Sequence, residues 1–150
     1  MNKFISKSKI RFFYLPFLLV VLFAQCDDDS ASNFPHIYVN TTIYIDQIGF
    51  IAEGEHAFVD GYGLGGLIIV RIFENNYVTF DRACTHEAKS SCILEDDPDF
   101  YGILVCPCCG SKFLMTGEQA GSIFNGPAKR NLVEYKTVMT GPNTLVIQNY

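Results

Sequence analysis

Six residues between positions 84 and 109 carry side chains that bind soft metals or exchange electrons. Most of them sit in two short knots. Cys84-Thr85-His86 follows a β-prone run over residues 77–81, and Cys106-Pro107-Cys108-Cys109-Gly110-Ser111 follows another over 102–105, with Cys92 between them. Each knot presents two potential ligands on a tight loop at the end of a strand. Cys84 with His86 and Cys106 with Cys109 supply three thiolates and one imidazole. Soft thiolates select zinc, copper(I) or iron–sulfur centres over hard cations. Thiolates hold 2Fe–2S clusters, in which imidazole can replace thiolate on one iron. Three cysteines and one histidine also satisfy tetrahedral zinc. Disulfide formation is the competing use of so dense a group, and a loop without metal is a further alternative.

The pattern resembles the Rieske 2Fe–2S family, C-x-H followed by C-x-x-H. It is similar to the Rieske proteins of cytochrome bc complexes, whose loops read C-T-H-x-x-C and C-P-C-H-G-S. Gly117 matches that family's glycine after the second loop, and Gly126-Pro127-Ala128 with Asn131-Leu132 resembles its G-P-A-x-x-N-L segment. The likeness covers roughly residues 67–147. It implies that Cys84 and Cys106 hold an inner iron, that His86 and Cys109 hold an outer, solvent-facing iron, and that Cys92 and Cys108 form a disulfide joining the loops. It also implies hydrogen bonds to cluster sulfur from the backbone near Gly110 and from the Ser111 hydroxyl. Three features depart from the family. Cys109 stands where the second histidine belongs and adds a negative charge. Phe113 stands where the cytochrome bc branch often has a tyrosine hydroxyl aimed at a cluster sulfur. Cys92 comes three residues late, which places an insertion within 87–91. Added charge and fewer hydrogen bonds to sulfur both lower a reduction potential.

Strands must carry these loops. From Phe34 onward short β-prone runs alternate with turn signals. Residues 36–45 alternate in part; 67–74 is an apolar run broken by Arg71; Asn75-Asn76 reads as a turn, and 77–81 returns as a hairpin. Residues 102–106 and 112–116 are two further strands, and 132–140 with 144–148 form a last hairpin around Gly141-Pro142-Asn143. No long 3.6-residue apolar period follows Gln25, so the expected class is all-β. The resemblance refines this to a Rieske-like antiparallel β-sandwich with a small cluster-binding subdomain of two loops. The Gly-rich stretch 61–66 lacks a Lys-Ser/Thr pair and precedes a strand, so it reads as a flexible loop and not as a phosphate cradle. The acidic stretch 95–99 lacks a calcium loop's spacing and reads as a solvated turn. His36 and His56 stand alone and read as ordinary surface or half-buried residues.

The first 25 residues read as a signal peptide. Lys3, Lys7, Lys9 and Arg11 precede the uncharged run 12–24, which Pro16 interrupts. That run is short of the roughly twenty apolar residues of a bilayer span. Leu22-Phe23-Ala24-Gln25-Cys26 resembles a bacterial lipoprotein signal in which Cys26 becomes the lipidated first residue, although Gln25 replaces the usual small residue. Cleavage near Ala24, leaving an odd thiol, is the alternative. Residues 26–33 are an acidic tether and 34–150 the domain. Both readings export the chain, to the periplasm or outer surface, where disulfides persist. With Cys26 set aside five cysteines remain, an odd number. Three ligands plus one Cys92–Cys108 bridge use all five, for a 2Fe–2S cluster or for zinc. Beyond residue 25, seven basic residues face sixteen acidic ones, which argues against nucleic acid as a partner. There is no Ser-His-Asp arrangement, no paired catalytic carboxylates and no nucleotide motif. The expectation is therefore an extracytoplasmic carrier of single electrons, anchored in the membrane through Cys26 and serving a redox partner protein. The alternatives are a cluster-free or zinc-binding lipoprotein of the same fold that acts as a binding or structural module, and the redox subunit of an oxygenase or reductase.

Overall fold

The computed structural model describes residues 34–149; the signal segment, Cys26 and the tether 26–33 lie outside the described residues. The chain forms β1 (Asn40–Tyr44), a single helical turn α1 (Ile45–Ile48), β2 (His56–Val59), β3 (Leu67–Phe73), β4 (Asn76–Asp81), β5 (Glu95–Asp96), β6 (Ile103–Val105), β7 (Lys112–Leu114), β8 (Ile123–Asn125), β9 (Glu134–Gly141) and β10 (Thr144–Gln148). The fold is all-β and antiparallel. One sheet has six strands in the order β1-β10-β9-β4-β3-β2, and the other has four in the order β5-β6-β7-β8. β4 pairs directly with β9 through Thr79↔Tyr135 and Phe80↔Glu134. The whole small sheet, with both cysteine loops, is therefore an insert between two neighbouring strands of the large one. Among the described residues no helix is long and apolar enough to cross a membrane.

The apolar run at 67–70 explains how the sheets stack. All four residues of Leu67-Ile68-Ile69-Val70 are fully buried. Successive strand side chains point to opposite faces. Leu67 and Ile69 thus join Ile43, Leu145 and Ile147 in one core, while Ile68 and Val70 join Leu94, Leu104, Phe113 and Met115 in the other. A strand covered on both faces reads as a continuous hydrophobic run. Burying each such side chain contributes about 1.5–3 kcal/mol. Arg71 ends the run, and its guanidinium donates to the carbonyls of Glu74 at 2.8 Å and Ile51 at 3.1 Å.

Several expectations shift locally. Ile45 leaves β1 for the helical turn, where its N–H donates to the Asn143 carbonyl at 2.9 Å. The first hairpin turns at Glu74-Asn75 and not at Asn75-Asn76, because the β3–β4 register shifts between Arg71 and Phe73. The acidic stretch is only partly a turn. Glu95 and Asp96 pair with Val105 and Leu104, while the Asp97 carboxylate binds Lys112 at 2.6 Å and accepts the Asp99 N–H at 2.9 Å. Asp96 also lies 3.1 Å from His56 Nε2. Burial pushes the His56 pKa below its usual value, against the raising pull of Asp96. The sequence did not mark β2, β5 and β8, which are four, two and three residues long, too short for a periodic pattern.

The Gly-rich loop is tied to the end of β4. Asp81, fully buried at the end of β4, accepts the N–H groups of Leu64 at 2.6 Å, Gly65 at 3.0 Å and Ala83 at 2.8 Å, and the Tyr135 hydroxyl at 2.7 Å. Gly63, at φ +63°, runs so close that a Cβ there would collide with the carboxylate. Burial and the Asp81 charge hold the Tyr135 hydroxyl well above the ordinary tyrosine range. Tyr135→Phe should cost about 1.5–3 kcal/mol, as befits a hydrogen bond to a charged group, read as a lower urea midpoint at unchanged slope. The raised folded-state pKa keeps this contribution intact below the unfolded value of 10.0 and removes it as pH rises above that. The advantage of wild type over Tyr135→Phe should therefore be flat to about pH 10 and shrink beyond it; an advantage that grew in alkali would contradict the assignment.

Candidate metal centre

The first loop leaves β4 just past Asp81. Arg82 fixes its exit, stacking 3.9 Å from the centre of the Phe58 ring and donating from Nε to the Leu94 carbonyl at 2.8 Å. The Cys84 N–H then bonds the Cys92 carbonyl at 2.9 Å, and the Ala88 N–H bonds the Cys84 carbonyl at 2.8 Å. The second loop closes on itself between β6 and β7. Cys106 N–H donates to the Ser111 carbonyl and Gly110 N–H to the Cys106 carbonyl, each at 2.8 Å. Gly110 takes φ +75°, the left-handed conformation that glycine adopts without strain.

Two ties hold the loops together. One is the Cys92–Cys108 disulfide, with Cα atoms 5.8 Å apart, the pairing that the resemblance implied. The other is the segment after β8. Gly126 passes over the second loop so closely that a Cβ would stand 2.5 Å from Ser111 Cα. Ala128 N–H donates to Ser111 Oγ at 3.0 Å, and the Thr85 hydroxyl of the first loop donates to the Arg130 carbonyl at 2.7 Å. The Gly126-Pro127-Ala128 signal thus marks a strap across both loops. The links of Thr85 and Arg130 to it carried no signal in the sequence.

Within this frame the sulfurs of Cys84, Cys106 and Cys109 all lie within 4.8 Å of one another and could hold a metal ion. Cys84 and Cys109 lie 3.6 Å apart. Cys84 and Cys106 are fully buried, whereas Cys109 is half-buried. Each sulfur faces backbone N–H groups: Glu87 and His86 at Cys84, Cys109 and Cys108 at Cys106, and Ser111 at Cys109. The Cys109 thiol donates to Ser111 Oγ at 3.1 Å, and once ionised its sulfur accepts a hydrogen bond from that hydroxyl. Gly110 itself bonds a carbonyl and not a sulfur. Burial pushes the Cys84 thiol up to about 12 and raises Cys106 as well. At Cys109 burial also pushes upward, but the Ser111 hydroxyl and amide outweigh it, and the thiol falls below its ordinary value. His86 is exposed and does not join the group. Phe113 is fully buried in the core beneath.

The donor set suits a soft metal. With metal–sulfur bonds near 2.3 Å, a tetrahedral ion sets its sulfurs roughly 3.8 Å apart, a spacing comparable to that of this group. A two-iron core would require Cys109 to stand farther from Cys84. Comparison with known proteins gives no matching family model and no matching curated relative.

Removing the disulfide tests how far the loops depend on it. The bridge closes a stretch of 16 residues, for which the loop-entropy relation gives about 3 kcal/mol. The double variant Cys92→Ala/Cys108→Ala should lose about that much in urea unfolding. A loss well below 1 kcal/mol would show that the strap alone holds the loops.

Proposed function

We propose that this protein is an extracytoplasmic, membrane-anchored carrier of single electrons, with a Rieske-type 2Fe–2S cluster held by Cys84, His86, Cys106 and Cys109. The observation that carries this reading is that two disulfide-joined loops present three sulfurs, each met by backbone amides, although a cluster would need Cys109 to move outward from its 3.6 Å contact with Cys84. Hydrogen bonds to sulfur stabilise thiolate charge and tune the potential of such a centre. Bound here, a cluster would accept and return one electron without any substrate bond being made or broken. Cys84 and Cys106 keep water from the inner side. Cys109 and the exposed His86 form the outer side, where a redox partner protein would approach. His86 would complete the ligand set with its ring turned inward. The basic start, the apolar run and Cys26 support lipid anchoring outside the cytoplasm, and the disulfide suits that compartment.

A second reading, one zinc ion in place of a cluster, draws on the 4.8 Å grouping of the three sulfurs, with His86 or water as fourth ligand. Metal analysis of anaerobically purified protein separates the two. Iron and acid-labile sulfide in equal amounts, lost on Cys84→Ala or Cys106→Ala, support the cluster. Stoichiometric zinc without sulfide replaces it with the second reading, and neither metal after reconstitution leaves a cluster-free binding module.

The cluster reading also predicts the electrochemistry. Two-histidine centres lie at about −150 to +300 mV and all-cysteine plant-type clusters near −400 mV. The Cys109 charge and the missing hydroxyl at Phe113 should place this protein between those classes or at the low edge of the first. With one imidazole, the potential should follow at most one proton per electron between about pH 6 and 11, a span that starts near the free histidine value. Cys109→His should raise the potential and add a second proton. A slope near two protons in the wild type would refute the assignment of Cys109.

A further inference from the structure

Three free thiols within 4.8 Å are more than a metal site when no metal fills it. Cys84 Sγ and Cys109 Sγ lie 3.6 Å apart, in contact across the two loops. Both loops are already locked by the Cys92–Cys108 bridge, so this proximity does not depend on a bound ion. Access differs sharply between the two: Cys84 is fully buried, and Cys109 is half-buried at the rim. We infer that the metal-free centre is a second redox couple, a Cys84/Cys109 dithiol that closes to a disulfide, with Cys109 as the entry thiol and Cys84 as the resolving thiol.

The oxidant is a small disulfide such as oxidised glutathione. The Cys109 thiolate attacks one glutathione sulfur, the glutathione S–S bond breaks, and one glutathione thiolate leaves with an electron pair. Cys84, having given up its proton, then attacks the Cys109 sulfur, and the second glutathione leaves. Two protein thiols are oxidised, one glutathione disulfide is reduced to two glutathione thiols, and the two protein protons are taken up by them. Burial bars Cys84 from meeting glutathione first, which sets the order. Oxidation removes two of the three thiolate ligands, so the couple gates metal loading through the redox state of the compartment. This inference concerns the metal-free chain and is independent of which metal the site takes.

The test uses the full chain, stripped of metal by chelator under argon, exposed to oxidised glutathione, alkylated and digested with trypsin. Cleavage after Arg82, Lys89 and Lys112 isolates Cys84 on peptide 83–89, apart from the other loop cysteines on 90–112. Wild type should release two glutathione thiols per chain and yield 83–89 linked to 90–112, with fragmentation placing the link at Cys109. Zinc uptake should be lost on oxidation and regained on reduction. Cys84→Ser should stop halfway, releasing one glutathione and keeping the other on Cys109. Cys109→Ser should leave Cys84 unmodified. A link from Cys84 to Cys106, glutathione persisting on Cys109 in the wild type, or a Cys109 that stays free would each overturn the proposal. None of these readouts involves iron or sulfide, so a failure here is distinct from a failure of the cluster reading.

Discussion

One buried carboxylate organises the part of the fold that matters for chemistry. Asp81 is the last residue of β4 and the point at which the chain leaves the large sheet for the cysteine loops. A carboxylate without solvent is costly unless its lone pairs are filled, and here four donors from three separate segments fill them. Each donor is thereby fixed too. The glycine-rich loop is drawn under the sheet, β9 is held through Tyr135, and the Ala83 amide turns the backbone immediately before Cys84. Gly65 belongs to the same constraint, since a Cβ there would stand 2.6 Å from the Ala83 nitrogen. Only glycines let that loop pass so close, so the composition that suggests flexibility is what permits this packing.

Beyond Asp81 the site is built by cross-ties more than by secondary structure. β5 has two residues, and β6, β7 and β8 have three each, too few to hold a loop against thermal motion by ladder bonds alone. Their stability comes from the core they cover, where Leu94, Leu104, Phe113 and Met115 pack on β3. The disulfide and the Gly126–Arg130 strap then fix the loops relative to each other. Cys84, Cys92 and Cys106 belong to that same buried core, so the centre is continuous with the packing beneath it.

This continuity gives the centre two unlike sides. The inner sulfurs sit in an apolar environment that disfavours their charge. Cys109 alone among them has both a hydroxyl partner and partial access to solvent. The amide groups around the three sulfurs offset part of the cost of thiolate charge without themselves bringing in counter-charge or water. The proposed metal binding and thiol exchange would draw on the same asymmetry, with the buried sulfurs protected and Cys109 met first.

The sequence by itself determined the class of fold, two of the hairpins and the two loops that carry the cysteines. Strand periodicity and turn residues are local properties, and so is the spacing of ligands within a loop. The Cys92–Cys108 pairing, implied by resemblance alone, was present in the structure as well. The tertiary structure decided what depends on distant partners. The pair Glu95-Asp96 is a strand because β6 lies beside it, although its composition reads as a solvated turn. The glycine loop is held in place by Asp81, Ala83 and Tyr135, which come to it from elsewhere in the chain. Whether His86 stands with the sulfurs was equally beyond local spacing. Two residues of separation bring it close to Cys84 along the chain, but the packing around the loop leaves its ring exposed while Cys109 reaches Cys84 from the other loop. Side-chain convergence is set by pairing across the β4–β9 insert, and no local pattern encodes which atoms that pairing brings within contact.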